Sequence, residues 1–205
     1  MTVTGIAHPG ELHRSVEPVW RWRRSLAPKL VAYVSWLLDG PWFNFRFEVE
    51  LDKVANAVER GFDQAGIEHR RAQSLLARDI ASLAGLYADV AGPGRVEVRV
   101  EHDPTAHCPA FHQDNNVLRL LTTYAGPGTE WLPEDRLDRR ELGLQGRAAA
   151  AANEAIALGA PERAEPGEVL IGKGLKYGRG HGTFVHRSPS INLGDRLLVA
   201  IDLAD

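Results

Sequence analysis

Cysteine is nearly absent. Cys108 is the one thiol in 205 residues, which excludes a disulfide framework and any zinc or iron–sulfur site built on several thiolates. Long apolar runs are missing too, and nothing approaches the ~20 residues that a membrane-spanning helix needs. The segment from Met1 to Glu17 has no apolar stretch between a basic start and a cleavage site, so no secretory leader is expected. Charge of one sign is also lacking. With 24 Lys+Arg against 27 Asp+Glu the formal net charge is -3, which excludes the protein-wide basic field of a general nucleic-acid binder. No phosphate loop or dinucleotide fingerprint occurs, because Gly172-Lys173-Gly174 follows a strand-like run without opening a helix. What is there is 44% hydrophobic and 25% charged residues with five Trp, the composition of a globular chain. The expectation is a cytoplasmic protein with a small-molecule or peptide substrate, no nucleic-acid partner and no membrane.

The pattern changes at Ala91-Gly92-Pro93-Gly94, which predicts a mainly helical support region over 1–92 and a second unit over 93–205. Leu30, Val31, Val34, Leu37 and Leu38 recur at helical spacing until Asp39-Gly40-Pro41. Leu51 to Val90 reads as two helices broken near Gly66. Trp20-Arg21-Trp22-Arg23-Arg24 reads as the first turns of an amphipathic helix rather than a nucleic-acid patch, and Trp36, Trp42 and Trp131 read as core. After Gly94 the period becomes two: Val96, Val98 and Val100 alternate with Glu97 and Arg99. Further strands are predicted over Ala110–Asp114, Val117–Tyr124, Thr129–Leu132, Glu168–Gly172, Thr183–His186 and Arg196–Leu203. Gly and Pro turns separate them, as in a sandwich, jelly roll or small barrel. An alanine-rich helix is inserted at about 134–165.

The chemistry concentrates in Cys108-Pro-Ala-Phe-His112-Gln-Asp114. On an extended chain i and i+2 face one side, so an imidazole and a carboxylate can aim at one point, two thirds of a facial metal triad. This is the one His-x-Asp in the chain, and the spacing alone specifies little. Its context adds His186 on a later strand and, ten residues on, Arg196 opening the last apolar strand. A guanidinium there can hold the far end of a dicarboxylate through a bidentate pair. His102, His107 and Cys108 crowd the approach in a way that suggests zinc, but Pro104 and Pro109 make that segment a polar loop.

The order His112-x-Asp114, His186, Arg196 resembles the iron(II), 2-oxoglutarate-dependent oxygenases, over roughly Val96 to Leu203. The strings Cys-Pro-x-Phe-His-x-Asp and Tyr-x-Gly-Pro-Gly-Thr-Glu-Trp-Leu resemble, more narrowly, a bacterial family known as a domain of unknown function. The resemblance implies an α+β fold with a double-stranded β-helix core (jelly-roll or cupin-like) and N-terminal supporting helices. It implies His112, Asp114 and His186 as ligands of Fe(II), and Arg196 as the partner of the 2-oxoglutarate C5 carboxylate, with Tyr124 and Thr122 as hydroxyl donors to that co-substrate. Asn115, Asn116 and Ser188 are candidates to support the ligands. The connection from Gly172 to Gly182, with Lys173, Lys176, Tyr177, Arg179 and His181, departs from the family pattern. Its basic character points to an anionic or polar substrate. The alternatives are a cupin-like protein that holds zinc, nickel or manganese in the same site without redox turnover, and an interaction module whose histidines are structural.

Overall fold

The computed structural model describes residues 8–67, 69–103, 108–143, 148–178, 182–189 and 194–204. Two antiparallel sheets and a layer of helices make up the fold. The larger sheet has six strands in the order β1-β7-β4-β9-β3-β2: β1 Val19–Trp22, β2 Phe43–Val49, β3 Val96–Asp103, β4 Leu118–Ala125, β7 Val169–Lys173 and β9 Arg196–Leu203. The smaller has the order β6-β5-β8, from β5 Glu130–Trp131, β6 Glu162–Arg163 and β8 His186–Arg187. The helices are α1 Pro28–Leu38, α2 Val54–Gln64, α3 Arg70–Ala91 and α4 Ala149–Ile156.

Strict alternation on β3 explains the layering. Val96, Val98 and Val100 join a core with Val34 and Leu37 of α1, Val58 and Phe62 of α2, and Leu76, Ile80 and Tyr87 of α3. Glu97, Arg99 and Glu101 consequently face the other way. On that second face Val19, Leu121, Leu170, Leu198 and Ala200 of the large sheet pack against Trp131 and Phe184. A third cluster, Phe111, Leu132, Leu137, Ile156 and Val185, seats α4 outside the small sheet. The helical and sheet layers thus share one core.

Several expectations change. The tryptophan–arginine cluster is a strand, not a helix start: β1 pairs with β7, Val19 opposite Gly172 and Trp22 opposite Val169. Trp20 joins the helix-side core, whereas Arg21, on the opposite face, donates to Glu168 Oε2 at 2.9 and 2.6 Å and lies over the Trp131 ring. Aromatic–charged alternation is a period of two, and the buried carboxylate that makes it favourable lies 147 residues away. A second strand, β2, was hidden in Phe43-Asn-Phe-Arg-Phe and pairs along its whole length with β3. Trp131 is buried, but Trp36 and Trp42 are 46% and 65% exposed, so they are not core. The strand predicted at Ala110–Asp114 reduces to one bridge at His112. Lys173 is no loop cation. It closes β7 with 1% exposure and donates from Nζ to Ser15 O at 2.6 Å. His107, Arg179 and His181 lie outside the described residues.

Two glycines set the spacing between layers. A Cβ on Gly61 of α2 would stand 2.6 Å from the Phe45 ring, so the helix rests directly on β2. A Cβ on Gly172 would run into the Phe184 ring, so the aromatic lies flat on the large sheet. Gly85 of α3, by contrast, meets nothing within 4 Å. Gly61→Val is expected to destabilise the fold by about 1–3 kcal/mol through overpacking. Gly85→Ala is expected to stabilise it by about 0.5–1 kcal/mol through helix propensity. Urea unfolding of the two variants beside the parent chain checks both signs.

Candidate metal centre

The centre is built where the chain before β4 meets β8. His112 and His186 form an antiparallel bridge, with His112 N donating to His186 O at 2.9 Å and His186 N to His112 O at 3.1 Å. Backbone pairing therefore places the two imidazoles side by side, their ring centroids 4.6 Å apart. The His186 ring is further fixed by stacking on Phe184 at 4.7 Å, and Phe184 is seated by Gly172. Asp114 follows two residues after His112, and its carbonyl accepts from Leu175 N at 2.8 Å.

One ligand atom each from His112, Asp114 and His186 lie within 4.8 Å of one another, among the described residues the one such group of His, Cys, Asp or Glu. His186 Nε2 is 3.4 Å from Asp114 Oδ2, and His112 Nε2 is 3.7 Å from Asp114 Oδ1. His112 Nδ1 is 3.0 Å from Ala110 O; donating there, it leaves Nε2 as a lone pair directed at the group. Burial holds the His186 imidazole neutral, with its pKa brought down to about 4. On His112 burial pulls the pKa down, but the Cys108 thiol, the Ala110 carbonyl and the Asp114 charge outweigh it and leave it raised. The side chains of His186 and Asp114 are 7% and 12% exposed and that of His112 is 32%, so the group opens to solvent on the His112 side. Two imidazoles, one held neutral, and a carboxylate suit a divalent transition metal, and three protein donors on one side leave positions open opposite them.

A cavity of about 270 Å³ extends from this group and is also lined by Arg99, Glu101, Arg119, Arg187, Ser188 and Arg196. Arg196 Nη2 donates to Ser188 Oγ at 2.9 Å, and its Nη1 is buried without a hydrogen-bond partner. The expected arginine is thus in the same cavity as the triad, with an unfilled donor. Asn116 instead donates to Asp202 Oδ1 at 2.7 Å, on the far side of Arg119.

Thr122 and Tyr124 do not reach this cavity, which corrects the expectation of hydroxyl donors there. Leu118, Leu120 and Tyr124 all belong to the helix-side core, so this parity of β4 faces away from the triad. Thr122 lies between Val169 and Val199, also core residues, and the Tyr124 hydroxyl donates to Asp79 Oδ2 of α3. The opposite parity, Arg119 and Leu121, lines the cavity.

Arg119 is the residue that sequence reasoning passed over. Its Nη1 donates to Asp114 Oδ1 at 2.7 Å, while Nε and Nη2 hold the Asp202 carboxylate of β9 at 2.8–3.0 Å. This fixes the Asp114 side chain and leaves Oδ2 toward His186. The available signal was the one charged residue of β4, five residues after the carboxylate. Arg187, in turn, is held by Glu130 Oε2 at 2.8 Å and lies over the Phe111 ring.

The fold is one found in solved oxygenase structures. The dioxygenase for auxin oxidation 1 from Arabidopsis thaliana, solved as its 2-oxoglutarate binary complex, is similar over 98% of this chain and 90% of its own, with TM-score 0.55 and 13% identity. The rice dioxygenase for auxin oxidation is similar over 95% of this chain and 76% of its own, with TM-score 0.56 and 16% identity. No curated relative matches the sequence. Residues 8–202 match the family described as a protein of unknown function, DUF1826, and the chain belongs to that family.

The parent chain is expected to bind Co(II), read by titration of its visible absorption, and His112→Ala and Asp114→Ala are expected to lose that binding. Arg119→Leu, which keeps all three donors, should weaken Co(II) binding by about 10–100-fold. Unchanged affinity in Arg119→Leu would separate that arginine from the site.

Proposed function

We propose that this protein is an iron(II)- and 2-oxoglutarate-dependent oxygenase of the hydroxylase type, with its two sheets forming a double-stranded β-helix of jelly-roll character. The observation that carries the reading is the convergence, in one cavity, of His112, Asp114 and His186 with Arg196, whose buried Nη1 has no partner. The likeness of fold to a dioxygenase solved with 2-oxoglutarate supports it.

His112 Nε2, Asp114 Oδ2 and His186 Nε2 would hold the iron. When bound, iron with 2-oxoglutarate supplies oxygen activation coupled to decarboxylation of the keto acid to succinate, and so the oxidation of a C–H bond. The chain's own residues do the rest. Arg119 orients the Asp114 carboxylate by occupying Oδ1. Burial keeps His186 a neutral donor across the physiological range. Arg196 offers its free N–H and its charge to the far carboxylate of the co-substrate, with Ser188 bracing the guanidinium. Leu121 and Leu198 give the cavity an apolar lining, which strengthens a charge pair formed against it.

The test is spectroscopic. Anaerobic addition of Fe(II) and 2-oxoglutarate should give a weak visible charge-transfer band that is absent in His112→Ala and Asp114→Ala. In Arg196→Ala the 2-oxoglutarate concentration needed for half the band should rise on the order of 100-fold, as expected for loss of a buried charge pair. Absence of the band in the parent chain, with no binding of 2-oxoglutarate, would overturn the proposal. Tight zinc unaffected by the acid would establish a cupin-like, non-redox protein instead.

A further inference from the structure

The cavity contains one polar pair that the proposed chemistry does not use. Alternation on β3 turns Arg99 and Glu101 to the cavity face, Arg99 beside Ala200 of β9 and Glu101 beside Leu198. Arg99 Nε stands 3.2 Å from Glu101 Oε1, but the N–H is not directed at it and is buried without a hydrogen-bond partner. Among the described residues Glu101, 9% exposed, accepts only a long 3.4 Å contact from Asn44 Nδ2 of β2. An ion pair this poorly aligned, with the Glu101 side chain 11% and that of Arg99 25% exposed, leaves hydrogen-bonding capacity on both members, at a cost that a ligand can remove.

Charge accounting narrows the ligand. This step rests on the oxygenase reading. A divalent metal is balanced by Asp114 and the near carboxylate of 2-oxoglutarate, and Arg196 by the far carboxylate. Arg119 is balanced by Asp202, and Arg187 shares the Glu130 carboxylate with Arg163. Arg99 and Glu101 remain as a pair of opposite sign with no well-made hydrogen bond between them, and the Glu101 charge also acts on Arg196. A polyanion such as a nucleotide would bring uncompensated charge into a buried space. A simple anion would satisfy Arg99 but stand against Glu101, and a simple cation would do the reverse. At about 270 Å³, shared with the co-substrate, the cavity admits a small molecule.

We infer that the substrate is a small dipolar molecule of α-amino-acid type, whose carboxylate is taken by Arg99 and whose ammonium is taken by Glu101, beside the metal centre. A dipolar substrate takes the place of the anionic one suggested by the basic connection after β7. Lys173 of that connection is buried and turned toward Ser15, away from the cavity.

The experiment uses the full chain with Fe(II) and 2-oxoglutarate under argon, adding in turn each standard L-amino acid, its N-acetyl form and its carboxamide. At least one free amino acid should shift the visible band and, on admission of air, raise succinate formation above the substrate-free rate. Its acetylated and amidated forms should do neither. In Arg99→Gln and Glu101→Gln the band should still form, while the amino-acid concentration for half its shift rises about tenfold or more. If the band forms and no free amino acid perturbs it, or if the blocked forms act equally well, the inference is wrong and the oxygenase reading stands. If no band forms in the parent chain, both fall together.

Discussion

The centre depends on a guanidinium shared by two carboxylates. Asp114 sits on irregular backbone between a single bridge residue and β4, a position in which a side chain is free to turn. Arg119 removes that freedom by tying Asp114 to Asp202, so the last strand of the chain positions a carboxylate from its middle. Two acids and one base leave an excess negative charge next to two imidazoles, which favours a cation at their meeting point. The same guanidinium is braced against a regular sheet, so its own geometry is set by β4 and β9 and not by the loop it restrains.

The imidazoles are fixed by different means. Phe184 lies flat on the large sheet because Gly172 beneath it has no side chain, and His186 stacks on Phe184. His112 is then placed by backbone pairing with His186. Packing between the layers is thereby converted into a distance between ring nitrogens. The strands that carry Arg99, Glu101, Arg119 and Arg196 use their opposite faces for the core shared with α1, α2 and α3, so the floor of the cavity is as rigid as that core.

How much of this was legible follows from where the partners lie. His112 and Asp114 were readable because i, i+2 on extended backbone is local information, and His186 and Arg196 because they keep a recognisable order on apolar strands. Arg119 was not, since its defining partner is 83 residues away. Thr122 and Tyr124 were misplaced because β4 is buried on both faces at Leu120, Leu121, Thr122 and Thr123, so no polar alternation reveals which parity meets the helices. A register shift between Thr123 and Ala125 blurs it further. β1 and β2 were lost for a related reason. Arg21 is charged yet buried, and β2 alternates aromatics with Asn and Arg in a stretch flanked by helices, where a helical period is the easier reading.

The bridge between His112 and His186 has a thermodynamic consequence of its own. Its two backbone hydrogen bonds need no ion, so the chain settles the entropy of bringing distant imidazoles together while it folds. Uptake of a cation would then be left to dehydration, with little reordering of the polypeptide. Such a centre should load and unload as a rigid receptor, with a heat-capacity change far smaller than that of a peptide whose folding is driven by its metal.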